Sequence, residues 1–226
     1  DSLESPQSYT PVEISKEALL QSVAALSSAF PDIDMQPIAG DFDLVFSRPD
    51  YFSGVSSRKR VVFFPGSTIG NFDPVSAREF LKKLARTARK GGGLLIGVDL
   101  IKDRSVLLDA YNDSRGITAA FNKNLLQRIN NELQGNFDLR AFNHRSLYNE
   151  DHDRIEMHLV SLTEQTVAID GQAFHFDTNE SIHTENSHKY SVDSFTGMAA
   201  DAGFGLVDYW CDPKDWFAIF YFEVQQ

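Results

Sequence analysis

The stretch Phe63-Phe64-Pro65-Gly66-Ser67-Thr68-Ile69-Gly70-Asn71-Phe72 constrains this chain more than any other. An apolar run, 61–64, drives into a loop with two glycines, and Asp73-Pro74 opens a helix at once. Apolar strand, glycine-containing turn and helix, in that order, present backbone N–H groups and a side chain at the carboxyl edge of an α/β sheet, where such proteins bind ligands. The loop is not a Walker A motif, because no lysine follows its second glycine. Nor is it the dinucleotide fingerprint, because the third glycine is missing. Two glycines that merely turn the chain would account for it equally well, unless other features converge on the same place.

The flanking sequence repeats the pattern. Tyr9-Thr10-Pro11-Val12-Glu13-Ile14-Ser15 alternates as a short strand ending in an acidic residue, and Ser15 suits a helix N-cap. Leu19, Val23, Leu26 and Phe30 recur at helical spacing until Pro31 stops the helix. A second strand is expected over 35–39, closed by Gly40-Asp41-Phe42-Asp43. Asp73 as cap and Pro74 at the first helical position open the next helix, with Phe80, Leu81, Leu84 and Ala88 on its buried side. Lys82, Lys83, Arg86, Arg89 and Lys90 crowd its second half, as a solvated helix end would. Gly91-Gly92-Gly93 ends it, and 94–100 reads as a strand buried on both faces in a parallel sheet.

Alternating strand and helix is the α/β signature. After residue 103 the pattern changes. Two helices broken near residues 112–116 precede a run of antiparallel strands, with Asp170-Gly171 as a hairpin turn. The α/β pattern then returns with a helix carrying Phe195, Met198, Ala199 and Ala202, ended by Gly203, and a strand pair. The organisation is therefore a core of 1–103 and 191–226 with an inserted α+β lobe, 104–190.

Charge narrows the partners. There are 21 basic and 32 acidic residues, a net of −11, which opposes nucleic acid or an anionic membrane surface as main partner. The single Cys211 excludes an internal disulfide and fits a reducing compartment. No apolar run approaches the roughly eighteen residues of a spanning helix. The expected setting is the cytoplasm.

Glu13, Asp41-Phe42, the Gly66–Asn71 loop and Asp99 fall at the carboxyl ends of the presumed parallel strands, along one edge. An acidic residue there can take both hydroxyls of a ribose, and an Asp beside an aromatic can take an adenine. The same residues also serve as helix caps. All six histidines (His144, His152, His158, His175, His183, His188) lie in the insertion without metal-ligand spacing, so no metal is expected. The loop does not match Gly-x-Ser-x-Gly, which removes a serine hydrolase. Tyr111 and Glu185-Asn186-Ser187 sit where the chain leaves and re-enters the core, as cleft-lining residues do. Taken alone, Glu185 also reads as a solvated group and Tyr111 as helix packing.

Four segments then match a known family in order and spacing: Tyr9 to Ser15; Pro65 to Phe72; Ala110-Tyr111-Asn112-Asp113 with Gly116-Ile117-Thr118-Ala119-Ala120-Phe121-Asn122; and Thr184-Glu185-Asn186-Ser187-His188-Lys189-Tyr190. Together they resemble the histidine Nα-methyltransferases of ergothioneine biosynthesis, from about Tyr9 to the C-terminus. The resemblance implies a Rossmann-like class I fold that uses S-adenosylmethionine to trimethylate the α-amine of L-histidine. It implies that Glu13, where the family has Asp, holds the donor's ribose, that Asp41 and Phe42 hold its adenine, and that the Gly66 backbone approaches it. It implies that Asn71 and Tyr111 grip the substrate carboxylate, that Glu185 and Ser187 bind the imidazole, and that Met157 lines the same pocket. Methyl transfer from a sulfonium needs positioning and a deprotonated amine, so no covalent or metal step is implied.

Before the segment matching Tyr9 the family carries a glycine-rich donor loop on the first strand of its sheet, and this sequence does not contain it. The expectation is a truncated form whose sheet lacks that strand, binds donor weakly or not at all, and is left open or completed by self-association. A methyltransferase for another amino acid or aromatic amine, or a non-catalytic binding module, are the alternative readings.

Overall fold

A computed structural model describes residues 5–52 and 59–225. The polar link at 53–58 and the first residues of the lead-in lie outside it. The chain begins with β1 (Ser8–Tyr9) and β2 (Val12–Glu13), then α1 (Lys16–Ala29), β3 (Asp34–Met35) and β4 (Ile38–Ala39). The two strands expected from sequence are each split in two, and proline is the reason. One parallel ladder runs throughout, with Asp34 N donating to Gln7 O, Gln36 N to Tyr9 O, Ile38 N to Pro11 O and Gly40 N to Glu13 O, at 2.9–3.0 Å. Pro11 has no N–H to return a bond, so regular pairing lapses there.

The short α2 (Phe42–Phe46) follows, then β5 (Val61–Phe64), α3 (Pro74–Ala88) and β6 (Gly93–Asp99). Asp73 caps α3 by accepting from Val75 N and Ser76 N, at 2.9 and 3.0 Å. After the insertion come α6 (Val192–Asp201), β12 (Phe204–Cys211) and β13 (Phe217–Val224). The main sheet has the order β12-β13-β6-β5, with β5 and β6 parallel and the other pairs antiparallel. Among the described residues β5 is an edge strand, and no ladder joins it to β2 or β4. The parallel strands thus form two separate pieces, β2-β4 and β5-β6.

One face of the sheet is covered. Leu94, Ile96 and Val98 of β6, and Phe220 and Phe222 of β13, pack with Phe80, Leu81 and Leu84 of α3 and Phe195 of α6. Phe80 also meets Phe42, Phe64 and Phe72, with ring centroids 5.1–5.5 Å apart. Burying a phenyl ring of this size contributes about 2–3 kcal/mol. The other face is not covered. Val61 and Phe63, in register with Gly93 and Leu95, are 51% and 59% exposed. That exposure belongs to the edge strand β5: within β6 no residue is exposed, with Gly93 and Gly97 buried and Leu95 half-buried on that same face, as its apolar run suggests.

The insertion holds α4 (Arg104–Tyr111), α5 (Ile117–Glu132), β7 (Phe142–Asn149), β8 (Arg154–Ser161), the hairpin β9 (Gln165–Ile169) and β10 (Gln172–Phe176), and β11 (Ser181–His188). A sheet of order β11-β8-β7 backs onto the two helices. The end of β11 returns to the main sheet, where Tyr190 N donates to Asp99 O and Ile101 N to Tyr190 O, at 3.2 and 3.0 Å.

Candidate functional site

A cavity of about 360 Å³ opens where the end of β11 meets the carboxyl ends of β5 and β6. The loop after β5 supplies Gly66, Ser67, Thr68 and Asn71 to its wall. The insertion supplies Tyr111, Glu185 and Ser187; Asp99, Lys189 and Phe217 complete it. The structure thus gathers Gly66, Asn71, Tyr111, Glu185 and Ser187 from three distant stretches of sequence.

Local geometry explains each placement. Ser67 adopts a left-handed conformation, φ 55°, that non-glycine residues rarely hold outside constrained sites. Its Oγ accepts from Asp99 N at 2.8 Å, which locks the loop to β6. Gly70 lies so close to β11 that a Cβ would sit 2.7 Å from the His188 carbonyl oxygen. Only glycine lets the loop and β11 close on the cavity.

Glu185 and Ser187 face inward because of a β-bulge. His183 pairs with His158, yet Glu185 pairs with Met157, so one extra residue, Thr184, stands in β11. That extra residue turns Glu185 and Ser187 to the side opposite His183. Met157 therefore shares a face with Glu185, is buried, and packs beneath Tyr111 rather than in the cavity wall.

Tyr111 ends α4, and its carbonyl is held by His144 Nε2 at 2.9 Å and by the Ser146 hydroxyl at 3.1 Å. Asn122, buried in α5, donates to the His158 carbonyl at 3.2 Å and faces His144 Nδ1 at 3.0 Å. A donor at Nδ1 leaves the His144 proton on Nε2, directed at Tyr111 O. The Gly116–Asn122 segment, which carried no assigned role in the sequence, thus anchors Tyr111. Asp113 accepts from Ile117 N and Thr118 N at the start of α5, and those backbone bonds lower its carboxyl to a pKa of about 2.

Polar groups dominate the cavity. Lys189, whose side chain is fully buried, pairs with Asp99 Oδ2 at 2.7 Å. Its ammonium also donates to Ser187 Oγ at 2.8 Å and to Tyr111 Oη at 3.0 Å. Tyr111 Oη lies 2.8 Å from Ser187 Oγ and donates to it. Asp99 is paired with Lys102 as well. The Glu185 carboxylate, by contrast, has no hydrogen-bond partner among the described residues. Burial pushes its pKa up and the nearby Lys189 ammonium pulls it down, with burial prevailing. A half-buried carboxylate without a protein partner is an acceptor waiting for an N–H.

The remaining predicted residues lie apart from this cavity's wall. Glu13, exposed at the end of β2, accepts from Ser15 N at 2.8 Å through one oxygen. Asp41 caps α2, accepting from Asp43 N and Leu44 N through Oδ1. Phe42 turns its ring into the aromatic cluster around Phe80. Asp99 was visible in sequence only as a strand end, and Lys189 only as part of a matching motif.

His158 and His183 stack across strands with ring centroids 4.6 Å apart, and Glu156 Oε2 is 3.2 Å from His158 Nε2. Linear spacing could not reveal this pairing. One ligand atom from each of the three lies within 4.8 Å of the others. The Glu156 carboxylate is already engaged by Arg154 at 2.6 Å and Asn149 at 2.8 Å. Burial opposes its ionisation, but these partners win and bring it to about 2. Both of those partners hold Oε1, which leaves Oε2 facing His158.

An α/β chain whose polar, small-molecule-sized cavity is roofed by an inserted lobe at the carboxyl edge of its sheet belongs to the ligand-binding α/β class. Its family is identifiable. Residues 1–224 match the family model described as histidine-specific methyltransferase, SAM-dependent, and the chain belongs to that family. It is 36% identical over 213 residues to the histidine N-alpha-methyltransferase of Mycolicibacterium smegmatis, covering 93% of this chain and 65% of that protein. The corresponding protein of Mycobacterium tuberculosis is 33% identical over 214 residues, with the same coverage. Ergothioneine biosynthesis protein 1 of Schizosaccharomyces pombe is 28% identical over 179 residues, covering 79% of this chain and 23% of that one. The chain thus spans about two thirds of the mycobacterial relatives' length. Among solved structures, an S-adenosylmethionine-dependent methyltransferase from Clostridium acetobutylicum aligns with 96% of this chain and 75% of its own at 9% identity and TM-score 0.48.

Proposed function

We propose that the protein trimethylates the α-amine of L-histidine with S-adenosylmethionine, as a cytoplasmic step towards ergothioneine. The observation that carries this reading is the inward pair Glu185 and Ser187 in a cavity shared with Asn71 and Tyr111. Glu185, without a hydrogen-bond partner among the described residues, accepts one ring N–H of the substrate, and Ser187 meets the other ring nitrogen. Asn71 and Tyr111 take the carboxylate, which leaves the α-amine between them and the Gly66 loop. The amine must arrive deprotonated, since its lone pair forms the new C–N bond. The chain's own contribution is to hold that nitrogen in line, which can supply many kcal/mol of the barrier reduction.

The donor, when bound, supplies a methyl group on a sulfonium. Residues on this chain fit it in part. Glu13 and Asp41 lie at the carboxyl ends of one parallel ladder, and each has a carboxylate oxygen not engaged by the backbone. Those oxygens suit ribose hydroxyls and an adenine amino group, and the open Gly66 backbone suits close approach. Phe42, committed to the aromatic cluster, would offer no more than its edge to a base. In this reading 104–190 is the substrate lobe and 1–103 with 191–226 the donor-binding core. The exposed β5 edge, with Val61 and Phe63 beside it, serves self-association. Sedimentation testing that last point gives a dimer that Phe63→Lys dissociates; a monomer at all concentrations counts against it.

The primary test is calorimetric titration of L-histidine, with and without S-adenosylhomocysteine, into this chain and into a form carrying the upstream segment of its relatives. Histidine binding and methylation by the longer form supports the reading, and an unresponsive longer form sinks histidine as substrate.

A further inference from the structure

We propose that Lys189 sets the hydrogen-bond polarity of the cavity, so that it accepts only a neutral imidazole in a single tautomer. The proposal rests on the substrate reading above and adds a specificity-determining residue to it. The argument is a count of donors and lone pairs. The buried Lys189 ammonium has three N–H groups and three acceptors: Asp99 Oδ2 at 2.7 Å, Ser187 Oγ at 2.8 Å and Tyr111 Oη at 3.0 Å. All its donors are spent inside the protein. Asp99 in turn is held by both Lys189 and Lys102, which keeps the Lys189 side chain in place.

Each hydroxyl oxygen therefore receives a proton from Lys189. Ser187 Oγ receives a second from Tyr111 Oη, at 2.8 Å, and a hydroxyl oxygen accepts two hydrogen bonds. Its lone pairs are full, and its own proton is what remains to offer a ligand. If the Tyr111 proton turns to a ligand carboxylate instead, the ammonium still occupies one lone pair on each oxygen. Both hydroxyls are thereby biased to act as donors.

Glu185 is the opposite pole. It is the only acid among the described residues lining the cavity that lacks a basic partner, since Asp99 is doubly paired. The charged and titratable groups facing a ring bound here are Glu185 from β11, Lys189 just after it, Tyr111 from α4, and Asp99 and Lys102 at and just after the end of β6. A ring between Ser187 and Glu185 needs one bare nitrogen for the hydroxyl proton and one N–H for the carboxylate. A neutral imidazole satisfies both in one tautomer only. The imidazolium would turn a second N–H onto an oxygen that already accepts from Lys189, beside a buried positive charge.

The test uses ring-¹⁵N-labelled L-histidine bound, with S-adenosylhomocysteine, to the form carrying the upstream segment of its relatives, observed by NMR between pH 5 and 7.5. In the unaltered protein one ring nitrogen is expected protonated and the other bare, with ring protonation suppressed about tenfold or more relative to free histidine. In Lys189→Met the suppression is lost and the tautomers mix, because Ser187 is free to accept. Lys189→Met combined with Asp99→Asn should behave alike, while removing the uncompensated charge that could unfold the single variant. In a Glu185→Gln background the effect of Lys189 should persist, which separates it from titration of Glu185. A doubly protonated or tautomer-mixed ring in the unaltered protein overturns the proposal whatever the variants do. Unchanged nitrogen shifts in the Lys189 variants overturn it too. Failure of the unaltered protein to bind histidine overturns the substrate reading itself, and is thereby distinguishable.

Discussion

Gly70→Ala probes the contact that assembles the cavity. The added Cβ would lie 2.7 Å from the His188 carbonyl oxygen, 3.3 Å from His188 N and 3.6 Å from Ser187 Oγ. A carbon–oxygen contact normally needs more than 3 Å, and the first obstacle is backbone, which cannot rotate away. Either the Thr68–Asn71 turn or the end of β11 must move by several tenths of an ångström. The end of β11 is tied to β6 through Tyr190 N and Asp99 O, at 3.2 Å, so movement there loosens Ser187 and Lys189 together. Overpacking of this kind costs about 1–3 kcal/mol. Denaturant unfolding should show that loss, and the same displacement should weaken histidine binding about tenfold or more. Gly197→Ala is the matched control. It lies inside α6 with nothing within 4 Å of the added Cβ, so it should stabilise the fold by about 0.5–1 kcal/mol. Wild-type stability and affinity in Gly70→Ala would refute the idea that this close approach sets the site.

Asn122→Ala should cost about 1–3 kcal/mol by removing the donor to the His158 carbonyl and to His144, and histidine affinity should fall as Tyr111 loosens; equilibrium unfolding and calorimetry measure both. Glu185 has a folded-state pKa raised by burial, so its ionisation works against folding. Glu185→Gln should therefore stabilise the unliganded protein above the usual carboxylate range. That gain should vanish as pH falls below it, while histidine affinity drops about five- to tenfold as a charge-assisted hydrogen bond becomes a neutral one. Unfolding midpoints across pH 3 to 8 test the sign, and a gain that grows on acidification would reverse it. Phe80→Ala should cost about 3–5 kcal/mol in the same unfolding assay, because its ring joins α2, β5 and α3.

The amino-acid sequence by itself determined the local elements and their chemistry. Asp73 and Pro74 specify the start of α3, Pro31 the end of α1, and the glycine loop the turn at the sheet's carboxyl edge, because caps and turns depend on a few neighbouring residues. The four matching segments likewise pointed to Gly66, Asn71, Tyr111, Glu185 and Ser187 before any contact was known. Tertiary structure alone decided what depends on distant pairing. The bulge at Thr184 turns Glu185 away from His183 only because β11 is registered on β8. The stack of His158 on His183 exists only across that same ladder. The exposure of Val61 and Phe63 follows from β5 lying at the edge of the sheet, and their apolar sequence cannot express that. Lys189 shows the division most clearly. As one residue in a motif it is an ordinary cation, but placed against Asp99, ninety residues earlier in the numbering, it becomes a buried charge with every donor spent. A lone pair is filled or free according to what folding brings within about 3 Å, and sequence order carries no such distance.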